Sequence, residues 1–298
     1  MIEIVVVSGK GGTGKTTVTS SLALLASKNG LKVVAADTDV DAPNLALLIN
    51  GEEVNYKMVQ VSEKAFIDHD TCTSCGDCME ACKFDAIRKD GGNYLVNRMY
   101  CEGCGLCEIV CPADAIEINP VDNGEITTLK TYNGFPLVTG HLMIGESGSG
   151  KVVSEVKEEA RKLAREVNAD FLIVDGPPGS GCAAIASISG ANFVVTVTEP
   201  TMAAKHDVDR MITIVKHFGI PFGVIINKYD IFLEMTSELR DYTKEVGGVL
   251  LGEIPADENV IRAVVNNKSI IEYNPSSPAS QTLTQIFEAL MVTINSGG

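Results

Sequence analysis

Eight of the nine cysteines of this 298-residue chain stand in two closely spaced runs. The first is CTSCGDCMEAC (72–82), the second is CEGCGLCEIVC (101–111), and each follows the pattern C-x₂-C-x₂-C-x₃-C. Thiolates at this spacing are ligands of iron–sulfur clusters. Structural zinc sites use pairs of cysteines rather than overlapping triplets. The two runs therefore predict two [4Fe–4S] clusters.

The spacing of both runs resembles that of bacterial ferredoxins with two [4Fe–4S] clusters, in which each cluster takes three thiolates from one run and the fourth from the other. The resemblance implies one cluster on Cys72, Cys75, Cys78 and Cys111, and another on Cys101, Cys104, Cys107 and Cys82. Pro112 follows Cys111 as in those proteins, but Lys83 follows Cys82. We expect this departure to expose the nearby cluster or shift its potential, not to remove it.

A glycine-rich segment, GKGGTGKT (9–16), lies between a predicted strand and a predicted helix and fits the P-loop pattern. Its glycines let backbone N–H groups surround phosphate oxygens, and the helix N-terminus adds positive dipole. Lys15 is expected at the β- and γ-phosphates and Thr16 at Mg²⁺. The predicted cofactor-binding residues of this segment are Gly9, Lys10, Gly11, Gly12, Thr13, Gly14, Lys15, Thr16 and Thr17.

The additional lysine, Lys10, makes this loop similar to the deviant Walker A motif of the MinD/ParA/nitrogenase-iron-protein group. In that group, ATP lies between two subunits, and the early lysine reaches the phosphates bound by the partner. The resemblance implies an ATPase that dimerises with ATP, either as a homodimer or as a heterodimer with a close relative.

Two further segments match this group in the expected order. DTDVDAPNL (37–45) resembles switch I, which implies that Asp39 orients the attacking water, with Asp41 as a second candidate. The alternative is that these carboxylates only cap a helix. FLIVDGPPG (171–179) resembles Walker B and switch II, which implies that Asp175 lies near Mg²⁺ through water.

The base-binding residues are expected near the C-terminal strands. IINKYD (225–230) and IPADENV (254–260) resemble the base-binding edges of the group, with Asn227 on the purine and Pro255 and Asp257 beside it. Residues 227–230 also spell N-K-x-D, the guanine-binding motif of regulatory GTPases, so GTP stays an alternative to ATP. GESGSGK (145–151) is not predicted to be a second nucleotide site, because Val152 replaces the Mg²⁺-binding Ser or Thr.

The elements that must position these residues alternate between short apolar runs and longer amphipathic segments. Runs such as IEIVVV (2–7) and FLIVD (171–175) are apolar throughout, as strands covered on both faces are. The alternation predicts an α/β fold with a doubly wound, mostly parallel sheet. We expect the P-loop ATPase domain to comprise residues 1–59 and 136–298, and an α+β ferredoxin-like domain to be inserted at residues 60–135.

Net charge and the first residues of the chain argue against several functions. A net charge of −15 opposes binding to nucleic acid or to an anionic membrane surface. The chain begins with MIEIVVVSGK, which lacks the features of a signal peptide. We therefore expect a cytoplasmic protein with no nucleic-acid or membrane partner, in which cysteines bind metal rather than form disulfides.

A MinD-type ATPase with an inserted ferredoxin is itself a recognisable family, and its parts allow three functions. Electron transfer gated by ATP, toward a redox partner, ranks first. An ATP-driven iron–sulfur carrier or scaffold ranks second, because relatives of that kind hold a transferable cluster on C-terminal cysteines and this chain has none after Cys182. MinD-like positioning ranks third, because residues 276–298 lack the basic residues of a membrane-binding tail.

Cys182, the ninth cysteine, stands seven residues after Asp175. In nitrogenase iron proteins, a cysteine at that separation helps to hold one cluster shared across the dimer, together with a second cysteine at the position of Ser147. Without that second cysteine, a shared cluster of this kind needs a paralogous partner. Cys182 is therefore either a small buried residue that packs switch II or a candidate redox thiol at the dimer interface.

Overall fold

The computed structural model describes residues 1–146 and 148–296. The predicted strands are present and belong to one sheet. In chain order, the strands are β1 (Ile2–Ser8), β2 (Val33–Asp37), β3 (Gly51–Val59), β4 (Ser62–Ile67), β5 (Ile87–Asp90), β6 (Asn93–Val96), β7 (Ile116–Val121), β8 (Gly124–Thr131), β9 (Pro136–Leu142), β10 (Phe171–Pro178), β11 (Phe193–Thr198), β12 (Phe222–Asn227) and β13 (Val249–Ile254).

The helices from α1 to α8 lie between these strands, as the alternation predicts, and α9, α10 and α11 follow β13. They are α1 (Lys15–Lys28), α2 (Leu45–Ile49), α3 (Asp77–Ala81), α4 (Leu106–Ile109), α5 (Ser149–Glu166), α6 (Cys182–Ile188), α7 (Met202–His217), α8 (Leu233–Glu245), α9 (Glu258–Val265), α10 (Ile270–Tyr273) and α11 (Pro278–Ser296). Within the ranges given above, none of them is both long and apolar enough to cross a membrane.

The main sheet has nine strands in the order β13-β12-β11-β1-β10-β2-β9-β8-β3. The strands from β13 to β9 are parallel to one another, so the prediction of a mostly parallel α/β sheet is confirmed. Alternate residues of β1 face opposite sides: Ile4 packs in the core beneath α1 and α11, and Val5 packs in the core beneath α5 and α7. Each such buried aliphatic side chain contributes about 1.5–3 kcal/mol to folding.

The antiparallel end of the main sheet differs from the expected division of the chain. β8 (Gly124–Thr131) pairs with β9 on one side and with β3 on the other. A boundary at residue 135 would place β8 in the insert, whereas this strand extends the main sheet. The physical reason is register: hydrogen bonds along β9 and β3 continue the sheet through β8, and Ile126 joins the core on the α5 side.

The cysteine-rich segment between β3 and β8 folds around a small core of its own. β4 pairs with β7, and β5 pairs with β6, both antiparallel. The short helices α3 and α4 follow Gly76 and Gly105, which occupy equivalent positions in the two runs. The core of this segment includes Cys78, Cys101 and Cys107, packed with Ile87, Tyr94 and Ile116.

Candidate nucleotide and cysteine sites

The P-loop lies at the carboxyl end of β1, where chain geometry requires glycine. A Cβ on Gly9 would lie 2.4 Å from the backbone carbon of Asp207 on α7, and one on Gly14 would lie 2.4 Å from Asn227 Nδ2. Gly14 also has a φ of +90°, which L side chains rarely adopt. The loop therefore closes tightly before α1 begins at Lys15.

Lys15 and two acidic residues form the charged centre of this loop. The Lys15 Nζ lies 3.2 Å from Asp175 Oδ1 and 3.6 Å from Asp39 Oδ2, and Lys15 is only 6% exposed. Burial lowers the pKa of Lys15, but the charges of Asp175 and Asp39 outweigh that effect and the pKa is raised. The residue therefore stays an ammonium group, as phosphate binding requires.

Asp175 is held by two hydroxyl groups of α1. Thr16 Oγ1 and Thr19 Oγ1 each donate to its carboxylate at 2.7 Å. The carboxylate is buried, so these donors and Lys15 offset the cost of its charge. The sequence predicts that Thr16 and Asp175 lie at the same Mg²⁺ site, and in the structure they are in direct contact.

Switch I depends on Asp37, a residue that sequence reasoning did not single out. Its carboxylate accepts hydrogen bonds from the backbone N–H groups of Asp39 (3.0 Å), Asn44 (2.9 Å) and Leu45 (2.8 Å). Asp37 therefore fixes the loop and the start of α2. Asp39 and Asp41 instead face a cavity of about 700 Å³, which Lys15 and Thr16 also line.

The burial of Asp37 predicts a pH-dependent stability of the nucleotide-free protein. Burial, with a contribution from Asp175, raises its pKa from 3.8 to about 7. The native state keeps this proton while the unfolded state loses it, so the free energy of unfolding falls as pH rises from about 4 to about 7. Asp37→Asn should flatten this part of the curve, measured by urea unfolding across the interval. An unchanged slope in the variant would contradict the assignment.

The residues expected on the purine base take up other contacts. Asn227 Nδ2 donates to Thr13 O at 2.8 Å, which ties the end of β12 to the P-loop. Asp257 accepts from the backbone of Asn259 at 2.9 Å and thereby caps α9. Neither residue lines the cavity, nor does Pro255; the cavity is bounded near α9 by Val264 and Asn267.

Lys10 projects from the P-loop and is partly exposed. Its Nζ lies 3.6 Å from Glu199 Oε2, and Lys228 Nζ donates to the other oxygen of Glu199 at 2.6 Å. Glu199 follows β11 and is buried. The sequence offered no signal for this contact, because the residue types are common and far apart in the chain.

Cysteines from both runs line the same cavity. Four cysteines line one cavity: Cys82 from the first run, and Cys101, Cys104 and Cys107 from the second. In the first run, burial raises the pKa of the Cys78 thiol, and the nearby thiols of Cys72 and Cys75 raise it further. All nine cysteines are free.

Backbone N–H groups point at several of these sulfur atoms. Ala86 donates to Cys82 Sγ at 3.4 Å, and Ala115, at the equivalent position of the repeat, donates to Cys111 Sγ at 3.3 Å. Ala65, on β4, donates to Cys101 Sγ at 3.4 Å. Outside the undescribed position 147 and the last two residues, no three His, Cys, Asp or Glu side chains lie close enough together to hold a single metal ion.

Cys182 is exposed at the start of α6, so the alternative that it fills a buried position in switch II is wrong. It lines a cleft between α5 and α6, next to Gly150 and Lys151. Ser147, which the sequence comparison places where a second cysteine would be needed, lies outside the described residues.

The parallel sheet, the glycine loop after β1 and the Lys15–Thr16–Asp175 centre define a P-loop nucleotide-binding protein. The profile of the CobQ/CobB/MinD/ParA nucleotide binding domain matches residues 4–270. The chain therefore belongs to this family, as a P-loop ATPase of the MinD/ParA type.

Individual relatives cover nearly the whole chain. An uncharacterised protein of Methanocaldococcus jannaschii is 34% identical over 291 residues, which are 97% of this chain and 96% of that protein. The chloroplastic septum site-determining protein minD homolog of Arabidopsis thaliana is 29% identical, over 95% of this chain and 72% of that protein. The fold is also similar to the septum site-determining protein MinD complexed with Mg-ADP from Pyrococcus horikoshii OT3, with a TM-score of 0.62, 20% identity and coverage of 100% and 98%.

Proposed function

We propose that this protein is a dimeric ATPase that couples its nucleotide state to electron transfer through two [4Fe–4S] clusters. The observation that carries the proposal is the cavity shared by Cys82, Cys101, Cys104 and Cys107 in the same chain as the P-loop centre. These four cysteines are the crossed set that the ferredoxin-like repeat implies.

The nucleotide half of the proposal assigns a role to each group of the charged centre. Lys15 binds the β- and γ-phosphates of ATP, Thr16 binds Mg²⁺, and Asp175 supports that ion through water. Asp39 orients the attacking water, and Asp41 lines the same cavity. The bound Mg²⁺ supplies positive charge that neutralises the phosphates. The Pyrococcus relative, solved with Mg-ADP, supports this assignment.

Adenine is favoured over guanine by a backbone contact. Asp230 is the carboxylate that the N-K-x-D motif would aim at guanine, but its Oδ1 accepts from the backbone N–H of Ala256 at 2.8 Å. With this contact in place, the carboxylate holds the segment after β13 rather than a base. We assign Asn227, which contacts the P-loop at Thr13, to the purine edge, with Pro255 beside it as the family resemblance implies and Asp257 fixing the helix that follows.

The cysteine half fits a cluster better than a single ion. In a [4Fe–4S] cluster each thiolate binds a different iron, so the four sulfur atoms lie farther apart than the ligands of one ion. The N–H groups directed at sulfur suit such a site, because they stabilise the negative charge of thiolates. When bound, the clusters supply one-electron transfer. Cys72, Cys75, Cys78 and Cys111 would hold the other cluster, and residues between β3 and β8 form the insert.

Lys10 tests the dimeric part of the proposal. We expect Lys10→Ala to abolish dimerisation with a non-hydrolysable ATP analogue, because this lysine would leave Glu199 and reach phosphates bound by the partner. Iron content should stay at about eight atoms per chain. Sedimentation velocity and iron analysis give the two readouts.

Lys205→Ala is the matched control for Lys10→Ala. Its side chain has the same 34% exposure and also pairs with a glutamate, Glu238. This variant should dimerise normally. If Lys10→Ala still forms an ATP-dependent dimer, ATP does not lie between two subunits with this lysine on the partner's phosphates. Loss of iron in that variant would contradict the proposal that the ATPase domain and the cysteine-rich insert are separate modules.

The direct test of the whole proposal is anaerobic purification followed by redox titration with and without Mg-ATP. The proposal predicts two low-potential clusters and a nucleotide-dependent change in their potentials or electron-transfer rate. A protein that holds about eight iron atoms but shows no such change would instead support an iron–sulfur carrier. The redox partner or client protein would then be sought by anaerobic capture on the Mg-ATP-bound dimer.

A further inference from the structure

One lysine is buried next to Cys101, which is one of the four cysteines that line the shared cavity. Lys64 lies on β4 and is 1% exposed. Its Nζ donates to the backbone oxygen of Cys101 at 2.7 Å, while the N–H of the next residue, Ala65, donates to Cys101 Sγ. Lysine is almost never fully buried without a partner. Two consecutive residues of β4 therefore fix Cys101 and place a positive charge beside it.

The counter-charge of this lysine comes from the nucleotide-binding part of the chain. Glu146 follows β9 and precedes α5, and its Oε2 lies 3.7 Å from Lys64 Nζ. In the described part of the chain, this oxygen is buried and has no hydrogen-bond partner. At that separation the pair is electrostatic, and its burial keeps solvent and salt from screening it.

The segment that carries Glu146 continues into α5, which contacts the helix that follows Asp175. A Cβ on Gly150 would lie 3.3 Å from Cys182 Cβ, so the first turn of α5 packs directly on the start of α6. Lys151 Nζ donates to Val61 O at 3.0 Å, just before β4. The residues after β9 therefore touch both the helix that follows Asp175 and the strand that carries Lys64.

We propose that Lys64 and Glu146 together set the reduction potential of the group bound by Cys82, Cys101, Cys104 and Cys107. Reduction adds one negative charge to that group, so the nearby ammonium favours the reduced state and the carboxylate opposes it. Lys64 thus raises the potential, and Glu146 lowers it. This inference rests on the proposed cluster function. It goes beyond that function because it names the ion pair that links the cysteine-rich insert to the nucleotide-binding part of the chain.

The test uses two neutralising substitutions with opposite expected signs. In an anaerobic redox titration followed by electron paramagnetic resonance, Lys64→Met should lower the potential of one cluster. A tenfold change in the ratio of reduced to oxidised protein corresponds to about 59 mV for one electron. Glu146→Gln should raise the same potential, and Lys64→Arg, which keeps the charge, should shift it less than Lys64→Met.

An exposed pair of similar geometry provides the control. Lys57 Nζ lies 3.6 Å from Glu155 Oε2, with side chains 49% and 45% exposed. Lys57→Met and Glu155→Gln make the same chemical changes where solvent screens the charges, so neither should move a potential.

The outcomes separate this inference from the proposed function. Wild-type protein purified anaerobically without iron would contradict the proposed function itself. Full iron content with potentials that do not move, or that move in the same direction in Lys64→Met and Glu146→Gln, would overturn the ion-pair inference alone. If Lys64→Met fails to retain iron, Glu146→Gln alone still decides, because only the electrostatic role predicts an upward shift.

Discussion

Replacing Lys15 by alanine is expected to lower ATP turnover by about 10²–10³-fold, the usual cost of losing one preorganised electrostatic group from a catalytic site. Lys15 is buried and lies within 3.6 Å of both Asp39 and Asp175. Without it, Asp39 and Asp175 lose the ammonium group that lies between them and the phosphates. Turnover is measured as phosphate release with saturating Mg-ATP, and affinity with a fluorescent ATP analogue.

Lys28→Ala is the matched control, since Lys28 lies at the other end of α1 and is exposed. Its turnover should equal that of the wild-type protein, because losing a charge from an exposed helix end costs only about 0.3–1 kcal/mol of stability. Equal turnover in Lys15→Ala and Lys28→Ala would mean that the charged centre at β1 is not the site of hydrolysis.

Cys82→Ser and Cys111→Ser are expected to remove one cluster each, leaving about four of about eight iron atoms per chain. The crossed pairing also predicts which of the two clusters each substitution removes. Cys82→Ser should remove the cluster bound to the second run, because Cys82 shares its cavity with Cys101, Cys104 and Cys107. Iron and sulfide analysis gives the content, and electron paramagnetic resonance shows which signal is lost.

The shift in reduction potential caused by Lys64→Met identifies the cluster that remains in Cys82→Ser and in Cys111→Ser. The shift should persist when Lys64→Met is combined with Cys111→Ser, and it should disappear when Lys64→Met is combined with Cys82→Ser. The reverse result would mean that each run holds its own cluster. Cys182→Ser makes the same chemical change at the exposed ninth cysteine and should leave the iron content unchanged.

The parallel part of the fold could be predicted because its signals are local. Apolar runs such as IEIVVV specify strands covered on both faces, and the glycines after them specify the turn into α1. The charged centre follows from the same rules, because parallel strands bring their carboxyl ends to one edge. Lys15, Thr16 and Asp175 therefore meet as expected.

The remainder depends on contacts between distant parts of the chain. β3 is GEEVNYKMV, in which Val54, Tyr56 and Met58 alternate with polar residues, but the strand is largely exposed, so this pattern does not assign it to the main sheet. Asp37 looks like one more switch I carboxylate, and only its three backbone donors show that it fixes the loop. Glu199 and Glu146 are ordinary glutamates in sequence. Their contacts with Lys10 and Lys64 exist only after folding.

The central claim is that nucleotide binding and cluster chemistry are coupled in one chain. The most direct measurement is the potential of both clusters in the intact, anaerobically purified protein, titrated without nucleotide, with Mg-ADP and with a Mg-bound non-hydrolysable ATP analogue. The account predicts about eight iron atoms per chain and a potential that differs between the nucleotide states, and this difference should be absent in Lys15→Ala. Identical potentials in all three states, with full iron content and saturated nucleotide, would contradict it.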